Sequence, residues 1–109
     1  MDSVGVVIPA YRPNATLLAD YVESLHERLS PAAIRIELDG SASSVNDALV
    51  DQQAMVTINT VDARRGKGAA ITDGFEALVT DDTIDTLAFV DADGSTSVKS
   101  VLDILNPIL

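Results

Sequence analysis

Cysteine is absent from this chain, and so is tryptophan. Without Cys there is no disulfide, no zinc–thiolate site and no thiol nucleophile. Aromatic residues make up 4% of a chain that is 47% hydrophobic, so the core must be aliphatic, built from Val, Ile, Leu and Ala. A chain of 109 residues suits one small domain or part of a larger one. Basic residues are scarce too: seven Lys and Arg stand against seventeen Asp and Glu, for a formal net charge of -10. A nucleic-acid partner requires a basic face, and this balance argues against one. The Asp-rich, Lys-poor composition fits a halophilic setting, where salt screens dense surface carboxylate; it fits an ordinary acidic soluble protein equally well. No apolar run approaches the length of a membrane span, and Met1-Asp2-Ser3 lacks the basic and apolar regions of a secretory signal. A cytoplasmic protein is expected.

What the chain does contain is an alternation of strand and helix signals, with no internal repeat or low-complexity tract. Val4 to Ile8 is β-branched and wholly apolar, which predicts a strand buried on both faces and ended by Pro9. Asn14 is placed to cap a helix whose apolar positions are Leu18, Tyr21, Val22, Leu25 and Leu29. Ile34 to Leu38 reads as a second strand, ended by Asp39-Gly40-Ser41. A short helix is expected from about Val45 to Gln53. Val56 to Val61 alternates apolar with Thr or Asn, as a strand near the sheet edge does. Gly68 to Val79 is a helix whose buried face would be Ile71, Phe75, Leu78 and Val79. Leu87 to Val90 is a fourth strand, and Val98, Val101, Leu102 and Leu105 mark a last helix. His26 lies beside the apolar face of the first helix, as a boundary residue would. Asp81, Asp82 and Asp85 read as a solvated loop.

This order predicts an α/β fold: a Rossmann-like, mostly parallel sheet with flanking helices, forming one partial domain over residues 1–109. In such a sheet the strand-to-helix loops emerge on one edge, where ligands bind beside the reversal of strand order. Four separate segments are thereby gathered: Pro9-Ala10-Tyr11, Asp39-Gly40-Ser41, Arg64 to Gly68, and Asp91 to Gly94.

Of these, Asp91-Ala92-Asp93 carries the strongest signal. Two carboxylates at i and i+2 past a buried strand can converge on a hard cation such as Mg²⁺ or Mn²⁺, which shares its sphere with substrate phosphates. A capped turn is the plainer alternative. Arg65-Gly66-Lys67-Gly68 sets two glycines and a Lys at the mouth of a helix, suited to a nucleotide or diphosphate; an ordinary glycine turn with solvated bases is its alternative. Its spacing is neither that of a P-loop nor that of the dinucleotide fingerprint. Asp39 could hydrogen-bond a base or ribose, although a plain turn explains Asp39-Gly40-Ser41 as well. Pro9-Ala10-Tyr11 could offer backbone groups and a ring to a nucleobase.

Taken in order, these loops resemble the family 2 glycosyltransferases, which have the GT-A fold, and among them the dolichyl-phosphate and polyprenyl-linked sugar transferases. The resemblance spans nearly the whole chain. Val6-Val7-Ile8-Pro9-Ala10-Tyr11 is similar to the family's opening strand and Pro-x-Tyr turn. Asp39-Gly40-Ser41 is similar to the end of its Asp-Asp-Gly-Ser motif. Arg65-Gly66-Lys67-Gly68-Ala69-Ala70-Ile71, with Gly74-Phe75, resembles its Gly-Lys-Gly helix start, and Phe89-Val90-Asp91-Ala92-Asp93-Gly94 its Asp-x-Asp strand end. The resemblance implies that Pro9, Tyr11 and Asp39 contact base and ribose. It puts Lys67 near the nucleotide and has Asp91 and Ala92 line the ribose-diphosphate. Asp93, with Asp91, would hold Mg²⁺ or Mn²⁺. The implied donor is a UDP- or GDP-sugar, and the implied acceptor a lipid phosphate or glycan, at the cytoplasmic face of a membrane in a complete enzyme.

The chain departs from the pattern at several positions. Arg12-Pro13 stands for the usual Asn-Glu, Leu38 for the first Asp of Asp-Asp-Gly-Ser, Ser43 for a common Asp, and Arg64 for the usual Asn. The base preference is therefore open. The family's acceptor site and base lie beyond Leu109, so the resemblance covers the nucleotide-sugar-binding half, which a partner chain or self-association could complete. Two other readings stand beside it. One is a non-catalytic nucleotide-binding or oligomerising module. The other is a fragment of a haloacid-dehalogenase-like phosphatase, whose first motif Val90-Asp91-Ala92-Asp93-Gly94-Ser95 resembles; only 16 residues follow Asp93, too few for that family's later motifs.

Overall fold

A computed structural model of the chain describes residues 4–29, 31–40, 43–49 and 56–90. The elements run β1 (Val4–Tyr11), α1 (Ala15–Leu29), β2 (Ala33–Asp39), α2 (Ser43–Ala48), β3 (Val56–Val61), α3 (Lys67–Val79) and β4 (Thr86–Phe89). The four strands form one parallel sheet in the order β3-β2-β1-β4. The fold is thus α/β and Rossmann-like, with β3 on an edge among the described strands, as its half-polar sequence suggests. The expected helix after Asp93 and the later part of the helix expected to reach Gln53 lie outside the described residues; α2 itself begins at Ser43.

The central strand explains the sheet's stability. Every residue of β1 from Val4 to Ala10 is buried. Its even-numbered side chains Val4, Val6, Ile8 and Ala10 join Ile34, Ile36 and Leu38 of β2 in one aliphatic layer. Leu18, Tyr21, Val22 and Leu25 of α1 and Val45 beside them close over that layer. Asn14 caps α1 as expected, its Oδ1 accepting from the Leu17 N–H at 3.0 Å. His26 is half-buried, and Asp81, Asp82 and Asp85 are exposed. Among the described residues no helix is long and apolar enough to cross a membrane.

Two expectations need correction. Pro9 does not end β1; the strand runs on to Tyr11, paired with Asp39. The reason lies in which neighbour each residue faces. Val4 accepts from Ala32, on the β2 side, and Val7 from Val90, on the β4 side. Odd positions of β1 therefore face β4, whose pairing stops at Phe89 opposite Val7. The N–H that proline lacks is one the ladder does not use.

The second correction concerns α3, which covers the odd-numbered face. Its buried residues are Ala70, Gly74 and Leu78; Ile71 and Phe75 are half-buried and Val79 is 68% exposed. Ile71, Phe75 and Val79 each stand one residue, about 100°, around the helix from Ala70, Gly74 and Leu78, so they lie at the margin of the buried face. Gly74 sets the orientation. A Cβ there would stand 2.6 Å from Val7 Cγ1 and 2.9 Å from its Cγ2, so the helix backbone rests directly on β1. Phe75 meets Phe89 edge-on, with centroids 6.5 Å apart.

Gly74→Ala is expected to destabilise the chain by about 1–3 kcal/mol through overpacking. Gly68→Ala, whose added carbon would meet nothing within 4 Å, should leave stability unchanged or slightly raised. Urea denaturation of the two variants against wild type provides the comparison.

Candidate functional site

At the C-terminal edge of the sheet, three of the four expected loops meet around one pocket of about 140 Å³. Pro9, Ala10 and Tyr11 enter from the end of β1, Asp39 from the end of β2, and Arg64, Gly66, Lys67 and Ala70 from the start of α3. A second cavity of about 470 Å³ adjoins it, sharing Tyr11, Asp39 and Arg64 and extending past Arg12, Pro13 and Gly40. Pro9, Tyr11, Asp39 and Lys67 are therefore brought together. Asp91, Ala92, Asp93 and Ser41 lie outside the described residues. Their predecessor Val90 is buried and donates its N–H to Val7 O at 3.1 Å.

Cations gather at this edge of an acidic chain. The Arg64 guanidinium carbon lies 4.3 Å from the Tyr11 ring centroid, and that of Arg12 lies 5.3 Å from it. Lys67 Nζ lies 5.9 Å from the Phe89 centroid. The Tyr11 ring, 43% exposed, thus forms part of a wall between the cavities, faced by guanidinium groups. Arg12 holds a φ of 48°, a left-handed conformation uncommon for a side-chain-bearing residue. Helix α3 opens on the pocket from Gly66, with φ 90° and no side-chain cap. Its first turn presents the positive end of the helix dipole there.

Behind the pocket lies a charged network centred on Glu37, which has no exposed surface. Arg35 Nε donates to Glu37 Oε2. Asn59 Nδ2 and an Arg65 terminal nitrogen both donate to Oε1, at 2.9 and 2.8 Å. Arg65 goes on to Asp39: its Nε donates to Oδ1 at 2.6 Å, while the backbone N–H groups of Arg65 and Gly66 donate to Oδ2 at 2.7 and 3.2 Å. The guanidinium also reaches Asp73 of α3 at 3.1 Å. Its other terminal nitrogen is buried with no partner among the described residues.

Burial alone would push the Glu37 carboxyl up, but hydrogen bonds from Arg65, Asn59 and Arg35 outweigh it and hold the group below the ordinary carboxylate range. Asp39 follows the same pattern, with Arg65 and the two backbone N–H groups outweighing burial. Arg65 is correspondingly held more firmly protonated, because its bonds to Glu37, Asp39 and Asp73 exceed the cost of its burial.

Glu37, Asn59 and the partnering role of Arg65 were not anticipated from sequence. A signal was present in the strict alternation of Ile34-Arg35-Ile36-Glu37-Leu38-Asp39, which gives β2 one aliphatic and one charged face. Asn59 stands directly opposite Glu37 on β3. Among the described residues no group of three or more His, Cys, Asp and Glu is arranged to hold a metal ion. No protein-family model matches the chain, and no curated protein is significantly similar to it.

Because both carboxylates titrate below their unfolded values, their contribution to stability is complete above about pH 5 and is lost as pH falls below about 4. Thermal midpoints by circular dichroism from about pH 5 down to about pH 2 should show this decline in wild type. Glu37→Gln should be less stable at neutral pH with a flatter acid limb; an acid limb parallel to that of wild type would contradict the assignment.

Proposed function

We propose that this chain is the nucleotide-sugar-binding part of a glycosyltransferase domain of the family 2, GT-A type. The observation that carries this reading is the convergence of Pro9-Ala10-Tyr11, Asp39 and Arg64–Lys67 on one pocket at the C-terminal edge of a parallel sheet. Three further features support it. The cations Arg12, Arg64 and Lys67 border the cavities of a chain with net charge -10, which favours a polyanionic ligand. The N-terminus of α3 carries no side-chain cap, the arrangement that suits phosphate. Tyr11 offers an exposed ring for a base. Small-ligand sites hold roughly 300–1,000 Å³, so the 140 Å³ pocket is too small for a nucleotide alone, and the adjoining 470 Å³ cavity gives the room.

In this reading Tyr11 and the Pro9 backbone meet base and ribose, and Arg64 and Lys67 meet the diphosphate. By resemblance, Asp91 and Ala92 would line the ribose-diphosphate, and Asp93 with Asp91 would hold Mg²⁺ or Mn²⁺. Two aspartates are hard oxygen donors of the kind such cations accept alongside substrate phosphates; a cation held there would supply charge neutralisation for the diphosphate leaving group. An acceptor hydroxyl or lipid phosphate would attack the anomeric carbon. A new bond to the acceptor oxygen forms as the bond to the diphosphate oxygen breaks, the nucleoside diphosphate departs, and the proton of a hydroxyl acceptor passes to a base supplied with the acceptor half of the domain.

Calorimetric titration with UDP- and GDP-sugars, with and without Mn²⁺, tests the reading. Metal-dependent binding is expected, with Asp93→Ala removing the metal dependence. Tyr11→Ala should weaken affinity by about tenfold or more through lost stacking. A folded chain that binds neither nucleotide sugar would overturn the proposal.

A further inference from the structure

We infer that Asp39 is a positioning residue, acting through Arg65 and Gly66 to fix the loop that brings Arg64 and Lys67 to the pocket. Asp39 is only 4% exposed. A carboxylate has about four acceptor sites, and three donors of its own chain already occupy this one: Arg65 Nε, Arg65 N–H and Gly66 N–H. Two of those donors belong to the backbone, so the contact defines the path of the loop as well as the place of a side chain. Gly66 then turns with φ 90°, a conformation glycine adopts without strain, and Lys67 opens α3.

The Arg65 fork continues the attachment. It bonds Glu37 and Asp39 on β2 and Asp73 on α3, so strand, loop and helix are held by one side chain, in the planar geometry that guanidinium alone supplies. The negative charge of Asp39 is thereby neutralised within the chain. The Tyr11 ring and the cations Arg64 and Lys67 line the pocket beside it.

The ligand arm of the test rests on the nucleotide reading above; the exchange arm does not. Asp39→Asn, Arg65→Lys and the double variant of the full chain are titrated with UDP and with GDP in the presence of Mn²⁺. Arg65→Lys leaves the two backbone donors on Asp39, so it should weaken binding less than the roughly tenfold expected for Asp39→Asn, and the double variant should lose less than the product of the two. Losses that multiply in full would show that Asp39 and Arg65 act independently and overturn the inference.

Amide hydrogen exchange at positions 65 and 66 is measured without ligand, alongside thermal unfolding. Faster exchange in Asp39→Asn, with the fold retained, is expected; unchanged exchange overturns the clamp. Should Asp39→Asn not fold, Arg65→Lys decides by the same exchange measurement. Should no variant bind a nucleotide, the reading of the pocket fails while the exchange result still decides the role of Asp39.

Discussion

A carboxylate with no access to water cannot stay ionised without partners, and Glu37 is such a group in the middle of a parallel sheet. It is satisfied by Arg35 on its own strand, by Asn59 across the ladder, and by Arg65 from a loop 28 residues away in sequence. The last contact is long-range and shapes the site. Arg65 can reach Glu37 only if the loop between β3 and α3 folds back over the end of β2, and in doing so it meets Asp39. The start of α3 is thereby fixed beside the ends of β1 and β2. Removing one partner of a buried ion pair typically costs about 3–5 kcal/mol, so this network is a demanding way to hold a loop, and a rigid one.

The helix above the network is fitted to it. Gly74 lies against Val7 and Glu37 with no room for a side chain, so α3 lies close to the sheet over the charged side of β2. Ala70, one turn earlier, continues the contact and lines the pocket. The two faces of the sheet are stabilised differently as a result. One is a dry aliphatic layer under α1. The other is narrower, built from a close helix–strand approach and a set of ion pairs that reaches the ligand edge.

Charge is partitioned along the same lines. Of the seven basic residues, Arg35 and Arg65 neutralise buried carboxylates, while Arg12, Arg64 and Lys67 border the two cavities. An acidic chain thus gathers three cations where three loops meet, an arrangement suited to an anionic ligand.

The sequence by itself determined the described elements, their parallel direction and the edge at which three of the four expected loops gather. Those features follow from local signals: β-branched runs for strands, Asn14 before an apolar period, and the rule that βαβ connections leave their loops on one side. It also named four residues, Pro9, Tyr11, Asp39 and Lys67, that line the same pocket. Only the tertiary structure shows what Asp39 bonds, because its partners Arg65 and Gly66 are distant in sequence and ion pairing leaves no periodic trace. The path of β1 through Pro9 depended on where β4 stops, and the buried face of α3 on how closely Gly74 meets Val7. Each is a property of two segments brought together, which neither segment encodes alone.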